Sequence, residues 1–493
     1  MTLATKRAVV SFYGGVGSVT GANFLLAGDK TRLLVDCGLI QGEKFAHDMN
    51  RAPFSYEPRA IDALLVTHAH IDHVGRIPKL VRDGFKGRII STPATLELSR
   101  LMLPDAFSVM RSEAQAEEEF LYDEKDIERA FSLWETREYH RPFAVGEFEA
   151  VFKDSGHILG SAMCEITRAA ESRGTDAEKR RKIVFTGDLG NSPSPLLNPA
   201  EVPESAAYLV MESVYGDRAH EGGERRKERL AEVIHESVKR GGTLLIPSFS
   251  LEKTQALLYE LDDLCSPERI SLARTNLKKD SRGQDEIRAG EEKKIHQVPV
   301  FLDSPLAIRI TEVYRRHTEQ FNETARAQIA LGDDVFSFKN LHLTMGARES
   351  REVARAADPK IIIAGSGMSA GGRILEHERR YLGDSKNTIL FIGYQAVGGL
   401  GRQIQEGVKK VRINGENVVV KARVETITGY SSHMDGEHLL EFARKAAEGE
   451  TLEKVFVVMG EPKAALFLAQ RIRDYHGIDT YVPVAEESVE IEL

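Results

Sequence analysis

The stretch Thr67-His68-Ala69-His70-Ile71-Asp72-His73 decides how this chain is interpreted. It follows the apolar run Ala63-Leu64-Leu65-Val66 and packs three imidazoles and a carboxylate into seven positions. If a strand ends with that run, the first two histidines project to one side, because side chains alternate along extended chain. The last two residues then begin the next helix. This density of nitrogen and oxygen donors suits two adjacent zinc ions, whereas the alternative is a polar turn with three solvated histidines.

Composition limits the class of protein. The chain has 493 residues, of which 42% are hydrophobic, so two or three domains with sizeable cores are expected. It has no run of 18 apolar residues, no signal-peptide pattern at its start and only three scattered cysteines, which predicts a cytoplasmic, reduced protein without a membrane segment. The net charge of −9 is not typical of a nucleic-acid-binding protein, although bound zinc would add positive charge where a phosphate must lie.

The pattern of elements changes along the chain. Residues 8–66 are interpreted as strands separated by glycine turns, and two later strands, 183–188 and 208–212, each end in a carboxylate. Beyond residue 212 strands and helices alternate, which predicts a parallel sheet in a second α/β domain that begins near residue 214. The charged stretch 267–297 has little apolar periodicity and is predicted to be a flexible surface insertion.

Three further residues are candidate ligands or ligand supports. Asp188 stands at a strand end after Thr186-Gly187, where an exposed carboxylate can bridge two ions. His157 lies in a glycine-flanked loop that would let an imidazole approach a metal, although a lone loop histidine is usually not a ligand. Asp36 follows the apolar segment Leu33-Leu34-Val35, where a turn-forming or capping role is an equal alternative.

At this point the chain resembles the metallo-β-lactamase superfamily, whose signatures are legible at the residues named so far and at His433. More specifically, it resembles the β-CASP nucleases of the bacterial and archaeal RNA-processing type, related to the cleavage and polyadenylation endonuclease. The stretches that carry this likeness are Met211–Arg218, Pro247–Ser250, Asp303–Ala307, Ser366–Met368 with Gly371–Arg373, and Gly393–Gln395.

The resemblance implies an α/β protein with a metallo-β-lactamase αββα sandwich and an inserted β-CASP domain with a mostly parallel sheet. The implied domains are residues 1–213 for the first part of the sandwich, 214–424 for the β-CASP domain and 425–493 for the second part.

The resemblance also implies roles for individual residues. The first zinc would be held by His68, His70 and His157, the second by Asp72 and His73, with Asp188 bridging both and Asp36 orienting a ligand. A water between the ions would become hydroxide and attack a phosphodiester. Glu212 and His433 would then supply a proton to the leaving oxygen, with His433 as general acid; taken alone, His433 is more simply a histidine before a helix.

The family pattern breaks at one ligand position. RNA-processing members carry a further histidine for the second zinc where this chain has Met459, in Val457-Val458-Met459-Gly460-Glu461. A thioether is a soft, poor zinc donor, so we expect Met459 to fill space at a sheet end rather than bind metal. The second zinc should therefore bind more weakly, and because DNA-processing members also lack this histidine, a DNA substrate stays open.

A glycine-rich turn at residues 365–372 supplies candidate substrate contacts. It lacks the G-x-G-x-x-G and Gly-Lys-Ser/Thr patterns, so the sequence does not favour a dinucleotide or P-loop site. The helix start that follows could still hold an RNA phosphate, with Ser366, Gly367, Arg373 and His377 as the candidate contacts. The basic runs 179–182 and 225–227 are interpreted as solvated surface rather than as an RNA track.

Together these features predict a zinc-dependent ribonuclease acting on single-stranded RNA, with endonucleolytic cutting preferred. The alternatives are a 5′→3′ exoribonuclease, a DNA nuclease of the same fold, and a non-catalytic RNA-binding subunit. The sequence leaves both a monomer and a homodimer open.

Overall fold

The structure is a computed structural model that describes residues 6–42, 45–113, 120–169, 181–220, 225–265, 297–396, 398–449 and 451–493. It divides into two compact units. The first unit comprises Met1–Ser192, Pro199–Ala219 and His433–Leu493, and the second comprises Pro193–Asn198 and His220–Ser432. The domain boundaries predicted at 213/214 and 424/425 stay a prediction. The predicted flexible insertion lies, except for residue 297, outside the described residues.

The strands of the described chain follow in sequence order. They are β1 (Arg7–Gly14), β2 (Asn23–Ala27), β3 (Arg32–Val35), β4 (Ala63–Leu65), β5 (Arg88–Ser91), β6 (Trp134–Thr136), β7 (Phe143–Val145), β8 (Phe148–Asp154), β9 (Ala162–Arg168), β10 (Lys182–Phe185), β11 (Tyr208–Glu212), β12 (Thr243–Pro247), β13 (Val300–Asp303), β14 (Leu341–Leu343), β15 (Lys360–Ala364), β16 (Thr388–Phe391), β17 (Lys410–Ile413), β18 (Glu416–Val419), β19 (Arg423–Thr426), β20 (Lys454–Val458), β21 (Asp479–Tyr481) and β22 (Glu487–Glu492).

The α-helices are numbered in the same way, and three short 3-10 turns accompany them. The helices are α1 (Ala46–Arg51), α2 (Ile71–Val74), α3 (Ile77–Arg82), α4 (Pro93–Glu113), α5 (Glu124–Ser132), α6 (Arg226–Lys239), α7 (Lys253–Cys265), α8 (Pro305–Arg316), α9 (Glu323–Ala330), α10 (Ala347–Val353), α11 (Ile374–Tyr381), α12 (Leu400–Gln405), α13 (Gly436–Ala446) and α14 (Pro462–His476). The 3-10 turns are Pro58–Ala60, Thr318–Gln320 and Thr428–Tyr430.

The first unit contains two seven-stranded mixed sheets in its described part. Their strand orders are β22-β1-β2-β3-β4-β5-β6 and β21-β20-β11-β10-β9-β8-β7. In the first sheet β3, β4, β5 and β6 run parallel, and in the second β10, β11, β20 and β21 do. The other neighbouring pairs are antiparallel.

Three hydrophobic clusters show that these sheets form the middle layers of a four-layer sandwich. One cluster lies between the sheets, with residues such as Phe12 from β1 and Phe456 from β20, whose ring centroids are 5.4 Å apart. A second cluster joins the other face of the first sheet to α3, α4 and α5. The third joins the other face of the second sheet to α13 and α14. The predicted αββα sandwich is therefore confirmed.

Local sequence explains where these elements begin and end. All residues of β4 are buried and apolar, as expected for a parallel strand covered on both faces. Helix α14 begins with Pro462, whose missing N–H costs nothing in the first turn. It ends before Gly477, whose φ of 65° is the left-handed conformation that commonly stops a helix.

The second unit contains a six-stranded parallel sheet in the order β14-β13-β15-β12-β16-β19. Helices α11 and α12 and the hairpin β17–β18 pack on it through a separate apolar cluster. Helix α8 begins with Pro305 after Ser304, whose hydroxyl accepts the Ala307 N–H at 3.3 Å. The predicted alternation of strands and helices around a parallel sheet is confirmed.

One surface prediction for this unit is wrong. Arg226, from the basic run 225–227, is buried rather than solvated. Its Nε donates to Glu260 Oε1 at 2.8 Å, and its Nη1 donates to the Gly429 carbonyl at 2.9 Å. Glu260, 34 residues away in sequence, neutralises the Arg226 guanidinium. No local sequence pattern indicates that pairing. Residues 179 and 180 of the other basic run lie outside the described residues.

No helix within the described ranges is long and apolar enough to cross a membrane. The three cysteines, Cys37, Cys164 and Cys265, are buried and free.

Two leucines of α14 test the packing of the first unit. Leu468 is fully buried against α13 and the second sheet, whereas Leu466, two residues earlier, is 59% exposed. We expect Leu468→Ala to lower the free energy of unfolding by about 2–5 kcal/mol, through lost burial and the cavity it leaves. The matched Leu466→Ala should change it by less than about 0.5 kcal/mol. Urea denaturation measures both, and equal effects would contradict the packing described.

Candidate metal centre

Four side chains from three separate segments converge in the first unit. His68 and His70 follow β4, His157 lies in the loop between β8 and β9, and Asp188 follows β10. His70 Nδ1 lies 3.1 Å from His68 Nε2 and 3.2 Å from His157 Nε2. Both of those Nε2 atoms lie 3.5 Å from Asp188 Oδ2. Each residue therefore offers one donor atom to a common point.

These spacings fit a zinc ion. A tetrahedral zinc with Zn–N distances near 2.05 Å has neighbouring donors separated by about 3.3 Å, and the observed separations of 3.1, 3.2 and 3.5 Å bracket that value. Hydrogen bonding alone cannot satisfy several imidazole nitrogens that face one another, because each pair needs one donor and one acceptor. A cation at the shared point satisfies all of them together.

Asp36 fixes the orientation of a fifth side chain of the site, that of His73. Asp36 Oδ2 lies 2.8 Å from His73 Nδ1 and accepts the Thr67 hydroxyl at 2.7 Å, while Oδ1 accepts the Thr67 N–H at 2.8 Å. A His73 Nδ1–H that donates to Asp36 leaves the Nε2 lone pair for a metal, which is how carboxylates commonly orient zinc-binding histidines. Asp36 itself has a left-handed φ of 59°, a conformation that Asp adopts more readily than most residues.

Two buried atoms, one on His73 and one on Asp188, lack hydrogen-bond partners among the described residues. His73 Nε2 and Asp188 Oδ1 are 3.3 Å apart, and neither makes a hydrogen bond within the described part of the chain. Asp72 Oδ2 lies 3.9 Å from His73 Nε2. Buried polar atoms are normally satisfied, so His73 Nε2 and Asp188 Oδ1 are free to face a cation, which would satisfy both.

Close backbone approaches bring these segments together. Gly187, which precedes Asp188, has a φ of 54°, and a Cβ there would meet the Thr67 Cβ at 2.8 Å. A Cβ at Gly190 would meet the Gly156 carbonyl oxygen at 1.9 Å. Glycine is therefore required at both positions, which bring the Asp188 loop against the segments that carry His68 and His157.

Burial and charge set the protonation of the site. Burial lowers the pKa of His68 well below its usual value, assisted by the neighbouring His73, so His68 is neutral, the form that binds metal. Burial would also lower the pKa of His73, but Asp188 and Asp36 outweigh it and raise that pKa well above normal. Burial raises the pKa of Asp72 to about 6. For Asp188, the attraction of His73 and His68 outweighs burial and holds the pKa well below its ordinary range.

A carboxylate–histidine pair lies beside this cluster. His433 Nδ1 is 3.3 Å from Glu212 Oε1 and 3.9 Å from Asp188 Oδ2, and its ring centroid is 4.6 Å from that of His157. Glu212 ends β11 and is fully buried, which raises its pKa, partly offset by His433.

The backbone holds this pair in place. Glu212 accepts the Leu189 N–H at 2.7 Å and the Val214 N–H at 3.2 Å. The segment carrying His433 pairs with the chain just after Asp188, because His433 bridges to Gly190 and the Met434 N–H donates to the Leu189 carbonyl at 2.8 Å. A residue 245 positions after Asp188 is thereby placed at the same cluster.

Met459 packs into the core between the two sheets. It is 2% exposed, and its Sδ would lie 2.4 Å from a Cβ at Gly15. Its backbone is tied on both sides, because its N–H donates to the Gly15 carbonyl and its carbonyl accepts the Ser213 N–H. Its φ of 47° is unusual for a residue other than glycine. These contacts favour the packing role predicted for this side chain.

The four predicted substrate contacts lie in the second unit, beyond the carboxyl end of β15. Ser366 is partly exposed, and its hydroxyl faces the Met368 and Ala370 N–H groups at 3.4 Å. Gly367 is buried, and its carbonyl accepts Gln395 Nε2 at 2.9 Å.

Arg373 and His377 are engaged inside the unit. Asp303, fully buried at the end of β13, accepts Arg373 Nη1 at 2.6 Å and lies 2.8 Å from His377 Nε2. Arg373 also donates to the carbonyls of Thr344 and Met345. Four side-chain donors outweigh burial and hold the pKa of Asp303 far below its usual value. This arrangement favours a positioning role for Arg373 and His377 over direct contact with substrate.

Sequence reasoning missed two residues that organise these sites. Thr67 begins the histidine motif, and nothing in its own sequence context indicates that its N–H and hydroxyl would donate to Asp36. Asp303 did carry a signal, because it is a carboxylate at a strand end before Ser-Pro, the same placement that made Asp188 a candidate.

Three family models match the chain. The metallo-β-lactamase superfamily model matches residues 17–219, the β-CASP domain model 285–404, and the model of the Zn-dependent metallo-hydrolase RNA specificity domain 417–483. The fold and the site thus define a metallo-β-lactamase-type hydrolase with a β-CASP domain.

Two similar proteins align with nearly the whole chain. Ribonuclease TTHA0252 of Thermus thermophilus is 34% identical over 93% of this chain and 94% of its own length. Transcription termination factor FttA of Pyrococcus horikoshii is 30% identical over 95% of this chain and 69% of its own length. A solved structure from Enterococcus faecalis, a protein of unknown function, covers 98% of the chain with a TM-score of 0.51 at 11% identity, which shows likeness of fold only. The chain belongs to the β-CASP family of the metallo-β-lactamase superfamily.

The amount of bound zinc tests whether the converging side chains hold a metal ion. We expect His157→Ala to weaken zinc binding by more than about tenfold, because even the loss of an outer-shell partner costs 10- to 100-fold. The zinc-dependent rise in melting temperature should shrink accordingly. His140→Ala is the matched control, since its imidazole is half exposed and its Nε2 lies 2.8 Å from Glu201 Oε1. Atomic emission after dialysis measures zinc per chain, and unchanged zinc in His157→Ala would contradict the site.

Proposed function

We propose that this chain is a metal-dependent ribonuclease that hydrolyses phosphodiester bonds of single-stranded RNA by endonucleolytic cutting. The observation that carries the proposal is the convergence of His68, His70, His157 and Asp188 on one point, beside the Glu212–His433 pair. The RNA-specificity model and the relatives named ribonuclease and transcription termination factor support RNA as the substrate.

Each residue of the centre has a proposed task. His68, His70 and His157 would hold one zinc, Asp72 and His73 would hold a second, and Asp188 would serve both. Asp36 orients His73 by accepting from its Nδ1 at 2.8 Å. Zinc bound there would lower the pKa of a coordinated water towards neutrality and stabilise negative charge on the phosphate.

Glu212 and His433 are proposed to deliver the proton that the leaving oxygen requires. The carboxylate faces His433 Nδ1 at 3.3 Å, which fixes the orientation of the imidazole. Two backbone N–H groups hold Glu212, so the carboxylate serves His433 without itself moving. A histidine oriented by a carboxylate in this way is suited to act as general acid.

Met459 is proposed to leave the second zinc short of one protein ligand. Its thioether packs against Gly15. A thioether is also a far poorer zinc donor than the histidine that RNA-processing members of the family carry at this position. The second zinc would then bind more weakly than the first, and activity would respond to added zinc or manganese.

In the second unit, Ser366 and Gly367 are the proposed contacts for an RNA phosphate. Arg373 and His377 would support them by fixing the start of α11 to Asp303. The three free cysteines suit the reducing cytoplasm, where we propose the protein works. The homodimer that the sequence leaves open is tested by sedimentation of the same protein.

Cleavage of end-labelled RNA tests the proposal. We expect purified protein to cut single-stranded RNA internally, and a chelator to stop it. His433→Ala should lower the cleavage rate about 10²- to 10⁴-fold, because it removes the general acid, while zinc content stays unchanged. The matched control His438→Ala, five residues away with its ring more than half exposed, should cut at the wild-type rate.

The same gel separates the alternatives. Mononucleotides released only from the 5′ end would indicate the exonuclease, and exclusive cutting of a matched single-stranded DNA would indicate the DNA nuclease. Binding of RNA without any cutting in zinc or manganese would indicate the non-catalytic subunit and overturn the proposal.

The weakened second site has its own test. We expect zinc titration of the wild type to show one tight and one weak ion, and Met459→His to tighten the second. Histidine tolerates the left-handed backbone at position 459 at least as well as methionine does. Met459→Leu, which keeps an apolar side chain of similar size, should not tighten it. Two tightly held zincs in the wild type would refute the idea.

A further inference from the structure

Lys253 lies at the carboxyl edge of the parallel sheet of the second unit and has no counter-charge among the described residues. It is the first residue of α7 and follows the loop after β12. Its Nζ lies 4.4 Å from the centre of the Phe249 ring, and within the described residues it has neither a hydrogen bond nor an ion pair. Burial lowers the pKa of this ammonium to about 8. By contrast, Lys227 and Lys360 of the same unit each pair with an aspartate.

Tight packing fixes Lys253 where it stands. A Cβ at Gly393 would lie 2.7 Å from Lys253 Nζ, and a Cβ at Gly367 would meet the Phe249 ring at 2.3 Å. Gln395 joins these two glycine segments, because its Nε2 donates to both the Gly367 and the Gly393 carbonyls. The ammonium is therefore held by packing rather than by an ion pair, and its charge stays available for a ligand.

Other polar groups gather at the same edge. Ser250 Oγ and Ser304 Oγ lie 3.3 Å apart, and both lie within 4 Å of a Cβ built on Gly365. These residues follow β12, β13 and β15, which are neighbours in the sheet. Ligands of open parallel sheets bind outside the carboxyl ends of the strands. A lone cation with several hydroxyls at such an edge suits a phosphate group.

Tyr394 adds an exposed aromatic side chain to the segment that packs on Lys253 through Gly393. It stands between Gly393 and Gln395, and 41% of it is exposed although its two neighbours are half-buried or buried. Exposed aromatic rings next to a basic group are how proteins hold single-stranded RNA, because every base can stack on a ring and each phosphate needs a cation.

We propose that Lys253 and Tyr394 hold one nucleotide of single-stranded RNA, with the Lys253 ammonium on a backbone phosphate and the Tyr394 ring stacked on a base. This inference rests on the proposed ribonuclease function and adds two substrate-binding residues to it. Because the contacts are a charge and a stacked ring, the grip does not depend on base identity.

RNA binding measured as a function of salt tests the lysine. A labelled oligouridylate is titrated with protein in the slow-cutting His433→Ala background. We expect Lys253→Gln to reduce the slope of log affinity against log salt by about 0.7, the value for one phosphate contact on a single strand. Lys253→Arg should keep the slope. The exposed Lys409→Gln in the same unit is the control and should also keep it.

The tyrosine is tested with the same titration. Tyr394→Ala should lower affinity about 5- to 150-fold, the range for loss of one stacked base, and Tyr394→Phe should not. The Tyr394→Ala loss should vanish on an oligonucleotide whose bases have been removed, whereas the Lys253→Gln loss should persist. Tyr475→Ala, whose ring is exposed in the first unit, is the control.

The outcomes separate the two claims. If the otherwise wild-type protein neither binds nor cuts RNA, the proposed function fails. If it cuts RNA but Lys253→Gln and Tyr394→Ala bind with unchanged affinity and slope, the inference fails alone. Equal losses in Lys253→Gln and Lys253→Arg with a lowered melting temperature would show that Lys253 only packs, which also overturns it.

Discussion

The metal centre depends on the three hydrogen bonds that converge on the Asp36 carboxylate. Thr67 donates two of them and His73 the third, so the end of β3 is fastened to both ends of the histidine motif. The backbone closes the same link, because the Cys37 N–H donates to the His73 carbonyl at 2.8 Å. These three donors satisfy the buried carboxylate. The contact with Nδ1 in turn fixes the ring nitrogen that His73 presents to the metal position.

Around Asp36 the site buries several charged groups, which are rare in protein interiors. Asp36, Asp188 and Glu212 are all almost completely buried, and burial of an unpaired carboxylate is costly. Imidazoles supply some compensation, yet His73 Nε2 and Asp188 Oδ1 are left without hydrogen bonds. Divalent cations at this place would neutralise the carboxylates and satisfy both atoms. Metal binding should therefore stabilise the first unit as well as support chemistry, since only the folded chain assembles the donors.

The sequence predicts the parts of this architecture that are local. The period-two placement of His68 and His70 and the helical start at Ile71 follow from a strand that ends near Val66, and both occur. The αββα fold and the parallel sheet of the second unit were also predicted. The pairing of Arg226 with Glu260 was not, because a charge run gives no sign of which residue will be buried. The clamp of Thr67 on Asp36 and the grouping of donors around Asp303 likewise arise only when distant strands end side by side.

Both units place their chemistry at the ends of parallel strands, but they use the carboxylates there differently. Asp188 Oδ1 makes no hydrogen bond in the described structure, and Oδ2 lies 3.5 Å from the Nε2 atoms of His68 and His157. The two carboxylate oxygens of Asp303 are fully satisfied by four side-chain donors. A carboxylate that is fully satisfied cannot also bind a metal without losing those bonds. The first arrangement is therefore suited to hold a cation, whereas the second is suited to keep a glycine-rich turn in one conformation.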